Sequence, residues 1–188
     1  MVARRLAAHF KKARRLGARI AFLDETGFSF LNAPGTTWAP QGETPILRRV
    51  SERRVLSTAI ALTTDGKLLK RHFDHAIHGT DILVALRHFR RHLPGPLIIV
   101  WDRLSAHRDK RVLQWVAKDP NLSIEWLPPY APTLNPEELC HGNIKTHLKG
   151  AMPETVDELR RQVDREFTRL RRRPELLIAF FKHTGLKM

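Results

Sequence analysis

The chain has 188 residues, with 33 Lys or Arg against 19 Asp or Glu and a formal net charge of +14. That length suits one domain with its own core, and 42% hydrophobic against 28% charged residues excludes a compositionally disordered chain. The single cysteine, Cys140, excludes an intramolecular disulfide and a cysteine-rich zinc module.

Charge gathers at the two ends. Residues 1–20 carry seven basic side chains and no acid, residues 159–188 carry nine basic and three acidic ones, and the middle is nearly balanced. Basic ends on a balanced centre favour a polyanion such as nucleic acid over a mere pair of solvated helix faces. No apolar run approaches the ~20 residues of a membrane span. The basic N-terminus lacks the apolar stretch of a secretory signal, so a soluble cytoplasmic protein is expected.

In chain order, residues 3–16 predict a basic amphipathic helix, and Ile20–Leu23 a buried strand ending at Asp24. The block Trp38-Ala39-Pro40-Gln41-Gly42 is turn-rich. Val55–Leu62 and Leu68–Phe73 predict a hairpin around Thr64-Asp65-Gly66. Apolar residues at Ile82, Leu83, Leu86, Phe89 and Leu93 predict a helix over 81–93, stopped by Pro94-Gly95-Pro96. Leu97–Trp101, unbroken and apolar, predicts a strand covered on both faces and ending at Asp102.

Lys110–Ala117 then reads as a helix, Leu122–Leu127 as a strand and Pro128–Pro132 as a stiff loop. Asn135-Pro136 is a helix start, with Asn as N-cap and Pro in the first turn. Val156, Leu159, Val163, Phe167 and Leu170 define another helix, and Pro174 opens a last one. Strands first, then strands alternating with helices, predict an α/β fold: a mixed sheet flanked by helices.

Three acids stand where such folds expose side chains: Asp24 and Asp102 at strand ends, and Glu138 in the first turn of a helix. If they converge, they form an oxygen-only set suited to Mg²⁺ or Mn²⁺. Each also has an ordinary explanation. The aspartates can cap turns, and Glu138, three residues after Asn135, resembles the acid of a capping box. Glu25 and Glu137 adjoin two of the candidates, and position alone does not choose between neighbours.

Four blocks sharpen the reading: Phe22-Leu23-Asp24-Glu25-Thr26-Gly27-Phe28, Trp38-Ala39-Pro40-Gln41-Gly42, Trp101-Asp102-Arg103-Leu104-Ser105-Ala106-His107, and Leu127 through Glu138 with Leu134-Asn135-Pro136-Glu137-Glu138. Together, over residues 14–182, the chain resembles the catalytic domain of insertion-sequence transposases of the IS630 group, within the Tc1/mariner superfamily. Thirty-five residues separate Asp102 from Glu138, within the family's usual spacing, although Glu137 fits the spacing too. The Asn-Pro-x-Glu register of the resemblance selects Glu138.

The resemblance implies an RNase H-like domain over 20–188, preceded by a basic helix or linker over 1–19. It implies that Asp24, Asp102 and Glu138 are catalytic and hold two Mg²⁺ or Mn²⁺ ions, for phosphodiester hydrolysis followed by strand transfer into target DNA. The implied partners are double-stranded DNA and a second copy of the chain, in a nucleoid-associated setting. Full-length relatives carry helix-turn-helix units, so a separate or frameshift-joined DNA-binding part is expected. Two other readings remain open: a catalytically degenerate DNA-binding remnant, and a nuclease of the same fold.

The chain departs from the family at two places. Arg103 replaces a small or amide residue beside Asp102, where it either binds phosphate or pairs with Asp102. His141 stands where an aromatic is common, next to Gly142, which costs a helix about 1 kcal/mol relative to Ala. His107 matches a family His and offers either a DNA contact or orientation of a ligand. Lys145 and Lys149, on the Glu138 helix, suit DNA phosphate or a solvated face equally. His72, His75 and His78 repeat at intervals of three, a weak zinc pattern.

Overall fold

The computed structural model describes residues 13, 15–30, 38–44, 55–129 and 131–185. Its strands are β1 (Arg19–Ser29), β2 (Val55–Thr63), β3 (Leu68–Phe73), β4 (Leu97–Trp101) and β5 (Leu122–Trp126). Its helices are α1 (Gly79–His92), α2 (Lys110–Ala117), α3 (Pro136–His147), α4 (Val156–Arg171) and α5 (Pro174–His183). Most of the basic helix expected over 3–16 lies outside the described residues; Ala13, Arg15 and Leu16 are helical.

One sheet carries the strands in the order β3-β2-β1-β4-β5. The β1–β2 and β2–β3 pairs are antiparallel, and β1–β4 and β4–β5 are parallel. The β2–β3 turn closes at Gly66, whose φ of +81° is open to glycine at no steric cost. The parallel pairs are reached through helical crossovers, as parallel geometry demands.

Alternation along β1 divides the core. Ile20, Phe22 and Phe28 face a layer made by α3, α4 and α5, and Ala21 and Leu23 face one made by α1 and α2. Phe181 of α5 meets Phe22 edge to face at 5.5 Å, and Phe167 of α4 meets Phe28 at 6.3 Å. Each such ring contributes roughly 2–3 kcal/mol of burial. In the other layer Phe89, Leu86 and Ile82 of α1 pack on Trp101, Ile99 and Leu23. Gly79 begins α1 so close to Asp109, the N-cap of α2, that a Cβ there would lie 2.3 Å from Asp109 Oδ2.

The strand holding Asp24 is longer than its apolar run. The expected end at Asp24 is corrected: β1 continues to Ser29, bonded to β2 through the pair Ser29↔Val55. Its pairing with β4 is shorter and stops at Phe22↔Val100. Beyond Phe22 only β2 bonds to this strand in the ladder, so polar side chains are tolerated there.

Candidate active site

Two residues past that last rung, on each of the two strands, come Asp24 and Asp102. By parity Asp24 faces the α3 side and its neighbour Glu25 the α1–α2 side. Asp24 Oδ1 accepts the Glu25 N–H at 2.8 Å, and its Oδ2 accepts Asn135 Nδ2–H at 2.8 Å. Asn135 also caps α3, its Oδ1 accepting the Glu137 N–H at 3.2 Å. One side chain thus starts the helix and ties it to the central strand.

Asp102 follows β4 with its side chain 54% exposed. Its Oδ1 accepts the Leu104 N–H at 2.9 Å and lies 2.7 Å from His107 Nδ1. Arg103 lines the cleft without an ion pair to Asp102; the hydrogen bonds of that carboxylate go to Leu104 and His107. Glu138 is exposed in the first turn of α3, whereas its neighbour Glu137 is completely buried. Asp24, Asp102 and Glu138 line one cleft of about 600 Å³, walled by Leu127, Pro128 and Pro129.

The field in the cleft is negative. Burial, above all, and then the charges of Glu25, Glu138 and Asp102 push the Asp24 carboxyl up to about 7, against the pull of the Glu25 N–H. Among the described residues, no three His, Cys, Asp or Glu side chains stand close enough to form a ready metal sphere. The donor chemistry nevertheless suits a hard divalent cation. The carboxylates supply oxygen only, and the charges of Glu25, Glu138 and Asp102 all bear on Asp24.

His107 departs from the expectation of a DNA contact. Its side chain is 1% exposed and cannot reach a duplex. Its Nε2 lies 2.9 Å from both Glu25 oxygens, and its ring stacks on Trp101 with centroids 4.4 Å apart and planes 5° apart. Because both ring nitrogens face carboxylates, both donate. Burial disfavours the charged ring, but the Glu25 hydrogen bond and the charges of Glu25 and Asp102 outweigh it and hold the imidazole above its usual value.

The remaining candidates separate. Lys145 is exposed on α3, which runs unbroken through Gly142, whereas Lys149, expected on the same helix, lies exposed in the turn after the helix ends at His147. His141 is buried, with Nε2 3.8 Å from Glu137 Oε2, and burial lowers it to about 3. The histidine triplet does not converge: His72 binds Thr58, His75 pairs with Asp81, and His78 is the N-cap of α1. Sequence reasoning treated Glu25 only as a spare ligand and Asn135 only as a cap. Their partners lie 82 and 111 residues away, and no local pattern announces such contacts.

Comparison with known proteins places this geometry. The chain matches, at 15% identity and a TM-score of 0.67, a Mos1 mariner paired-end complex with Mn, covering 96% of this chain and 59% of that one. It matches the catalytic domain of Mos1 mariner transposase at 13% identity and a TM-score of 0.60, covering 99% and 93%. A simian T-cell lymphotropic virus intasome, in complex with the PP2A regulatory subunit B56 gamma, matches at 17% identity and 0.53, covering 77% and 46%.

At these identities the likeness is one of fold, and the sheet with its two helical layers is RNase H-like. The chain spans about three-fifths of the length of the Mos1 chain in the paired-end complex. No curated protein sequence matches. The model of the DDE superfamily endonucleases matches residues 19–160, more than half of the sequence, and the chain belongs to that superfamily.

Proposed function

We propose that this domain cuts DNA strands and joins them to new sites, as the catalytic part of an insertion-sequence transposase of the IS630 type. The observation that carries the reading is the placement of Asp24 and Asp102, two residues past the last β1–β4 rung, in one cleft with Glu138. We assign the three carboxylates as ligands for a pair of Mg²⁺ or Mn²⁺ ions. Such ions, when bound, stabilise the attacking and leaving oxygens of an in-line displacement at phosphorus. The solved Mos1 complexes with Mn and with Mg support this choice of ion.

The chain's own residues do the rest. Asp24 would hold such an ion as the carboxylate, its oxygens set by the Glu25 N–H and by Asn135 Nδ2–H. Asn135 holds Asp24 Oδ2 from the far side and keeps α3, and so Glu138, seated against β1. Arg103 at the cleft wall, Lys145 on α3 and Lys149 in the turn that follows it are assigned to DNA phosphates. Pairing of transposon ends in the Mos1 complexes supports double-stranded DNA and a second copy of this chain as partners. A cytoplasmic, nucleoid-associated location follows from that substrate.

The test has two parts. Thermal unfolding against Mn²⁺ should show stabilisation of ~2.7 kcal/mol at a hundred times the dissociation constant. For a chain of this size that is about 5–10 °C. Asp102→Asn and Glu138→Gln should lose that response, while their metal-free midpoints stay equal or rise, because a like charge is gone. Incubation with a duplex carrying the terminal repeat should give metal-dependent nicks and joined products, reduced at least about a hundredfold in both variants. Nicks without joined products would favour a nuclease; binding without nicks would overturn the catalytic assignment.

A further inference from the structure

We propose that His107 is a positioning residue that holds the Asp102 carboxylate in one orientation at the edge of the cleft; this rests on reading Asp24, Asp102 and Glu138 as a metal-binding set. The backbone ladder between β1 and β4 ends at Phe22↔Val100, just short of the two aspartates. Past that point His107 is the link. Its Nδ1 lies 2.7 Å from Asp102 Oδ1 and its Nε2 2.9 Å from each Glu25 oxygen, and Glu25 is the chain neighbour of Asp24. A side-chain bridge takes over where backbone pairing stops.

The ring has no freedom to do otherwise. It is closed off from solvent, lies flat on Trp101, and its own backbone N–H is bonded to the Leu104 carbonyl at 3.0 Å. Asp102, by contrast, is half-exposed and otherwise held only by the Leu104 N–H and its own backbone. Removing the imidazole would let that carboxylate turn among rotamers. Partners of this kind behind metal-binding carboxylates typically change metal affinity by 10–100-fold when mutated.

Two isosteres separate positioning from simple packing. In His107→Asn the amide nitrogen stands near Nδ1 and keeps the Asp102 bond. In His107→Gln it stands near Nε2 and keeps only the Glu25 bond. Each variant loses one hydrogen bond, so a purely structural role predicts similar metal-free midpoints and equal Mn²⁺ responses. The proposal expects the Mn²⁺ concentration for half-maximal thermal stabilisation to stay within about threefold of wild type for Asn and to rise at least tenfold for Gln.

Equal half-points, or Gln closer to wild type than Asn, overturn it. Should the Gln variant fail to fold, His107→Asn against wild type decides alone, and a tenfold rise there overturns the proposal. Absence of any Mn²⁺ response in the wild type overturns the metal assignment itself, an outcome read on wild type before any variant is compared.

Discussion

Asn135 carries two duties that a single substitution can pull apart. Its Oδ1 caps α3 and its Nδ2 holds Asp24. Ser caps helices about as well as Asn, but lacks an amide to donate at that reach. Asn135→Ser should therefore leave the metal-free midpoint within about 2 °C of wild type, while the Mn²⁺ half-point rises several-fold. Asn135→Ala should lose both, with about 1 kcal/mol of stability gone. Thermal unfolding of the two variants with and without Mn²⁺ checks the separation. Glu137 shows the opposite economy: it is completely buried, and burial above all, then the charges of Asp24, Glu138 and Glu25, hold its carboxyl well above the usual range against a backbone hydrogen bond from Leu62.

At the scale of elements, β3 and α4 are joined through a polar knot whose ionisation is set by burial. His72 of β3 shares a hydrogen bond with Thr58 of β2 at 2.7 Å and lies 3.0 Å from Asp164 of α4, which also pairs with Lys70. Burial, and then the Lys70 charge, lower His72 to about 3. The folded value lies below the ordinary 6.5, so as pH falls the unfolded chain takes up the proton first. This contribution to stability is fully present above pH 6.5 and is lost between 6.5 and 3, at up to about 1.4 kcal/mol per pH unit. His72→Gln should flatten part of the decline in urea midpoint between pH 7 and 5. His141 keeps the remainder, being lowered in the same way.

The elements themselves were legible in the sequence wherever one rule governed them. Lys110–Ala117 and Leu97–Trp101 have the bounds that periodicity and the unbroken apolar run predict. Pro136 and Pro174 each stand in the first turn of their helices. The end of β1 was not legible. Glu25-Thr26-Gly27 breaks the apolar pattern because this stretch borders a cleft where β4 no longer pairs, and the long-range pairing with β2 keeps it extended. The candidate carboxylates could be nominated from strand ends and a helix start. The bridge behind them could not, because a His in a polar loop gives no sign that an indole, the nearby Asp102 and an acid 82 residues away enclose it.

For the molecule as a whole, charge and architecture run together. The α3–α5 layer, which brings Glu138 to the cleft, also carries exposed Lys145, Lys149, Arg161, Arg165, Arg172 and Arg173. Binding to a duplex of unrelated sequence should weaken steeply with salt, the slope of log affinity against log salt being about −0.9 per phosphate neutralised. Lys145→Gln with Lys149→Gln should reduce that slope by roughly 2 and weaken binding alike for all sequences. An unchanged slope would return both lysines to a solvated face.

The two aspartates and the glutamate are also held by different kinds of bond. Asp24 and Asp102 extend from central strands joined by a ladder, and sliding one past the other would break the middle of the sheet. Glu138 arrives on a helix seated by side chains and by the Asn135 link. Local openings that spare the sheet would therefore move Glu138 before they move the strands that carry the aspartates, and hydrogen exchange should run faster at the α3 amides than at those of β1 and β4. Equal exchange at both would mean that the three carboxylates share one cooperative unit, and that the helix is as permanent a part of the site as the sheet.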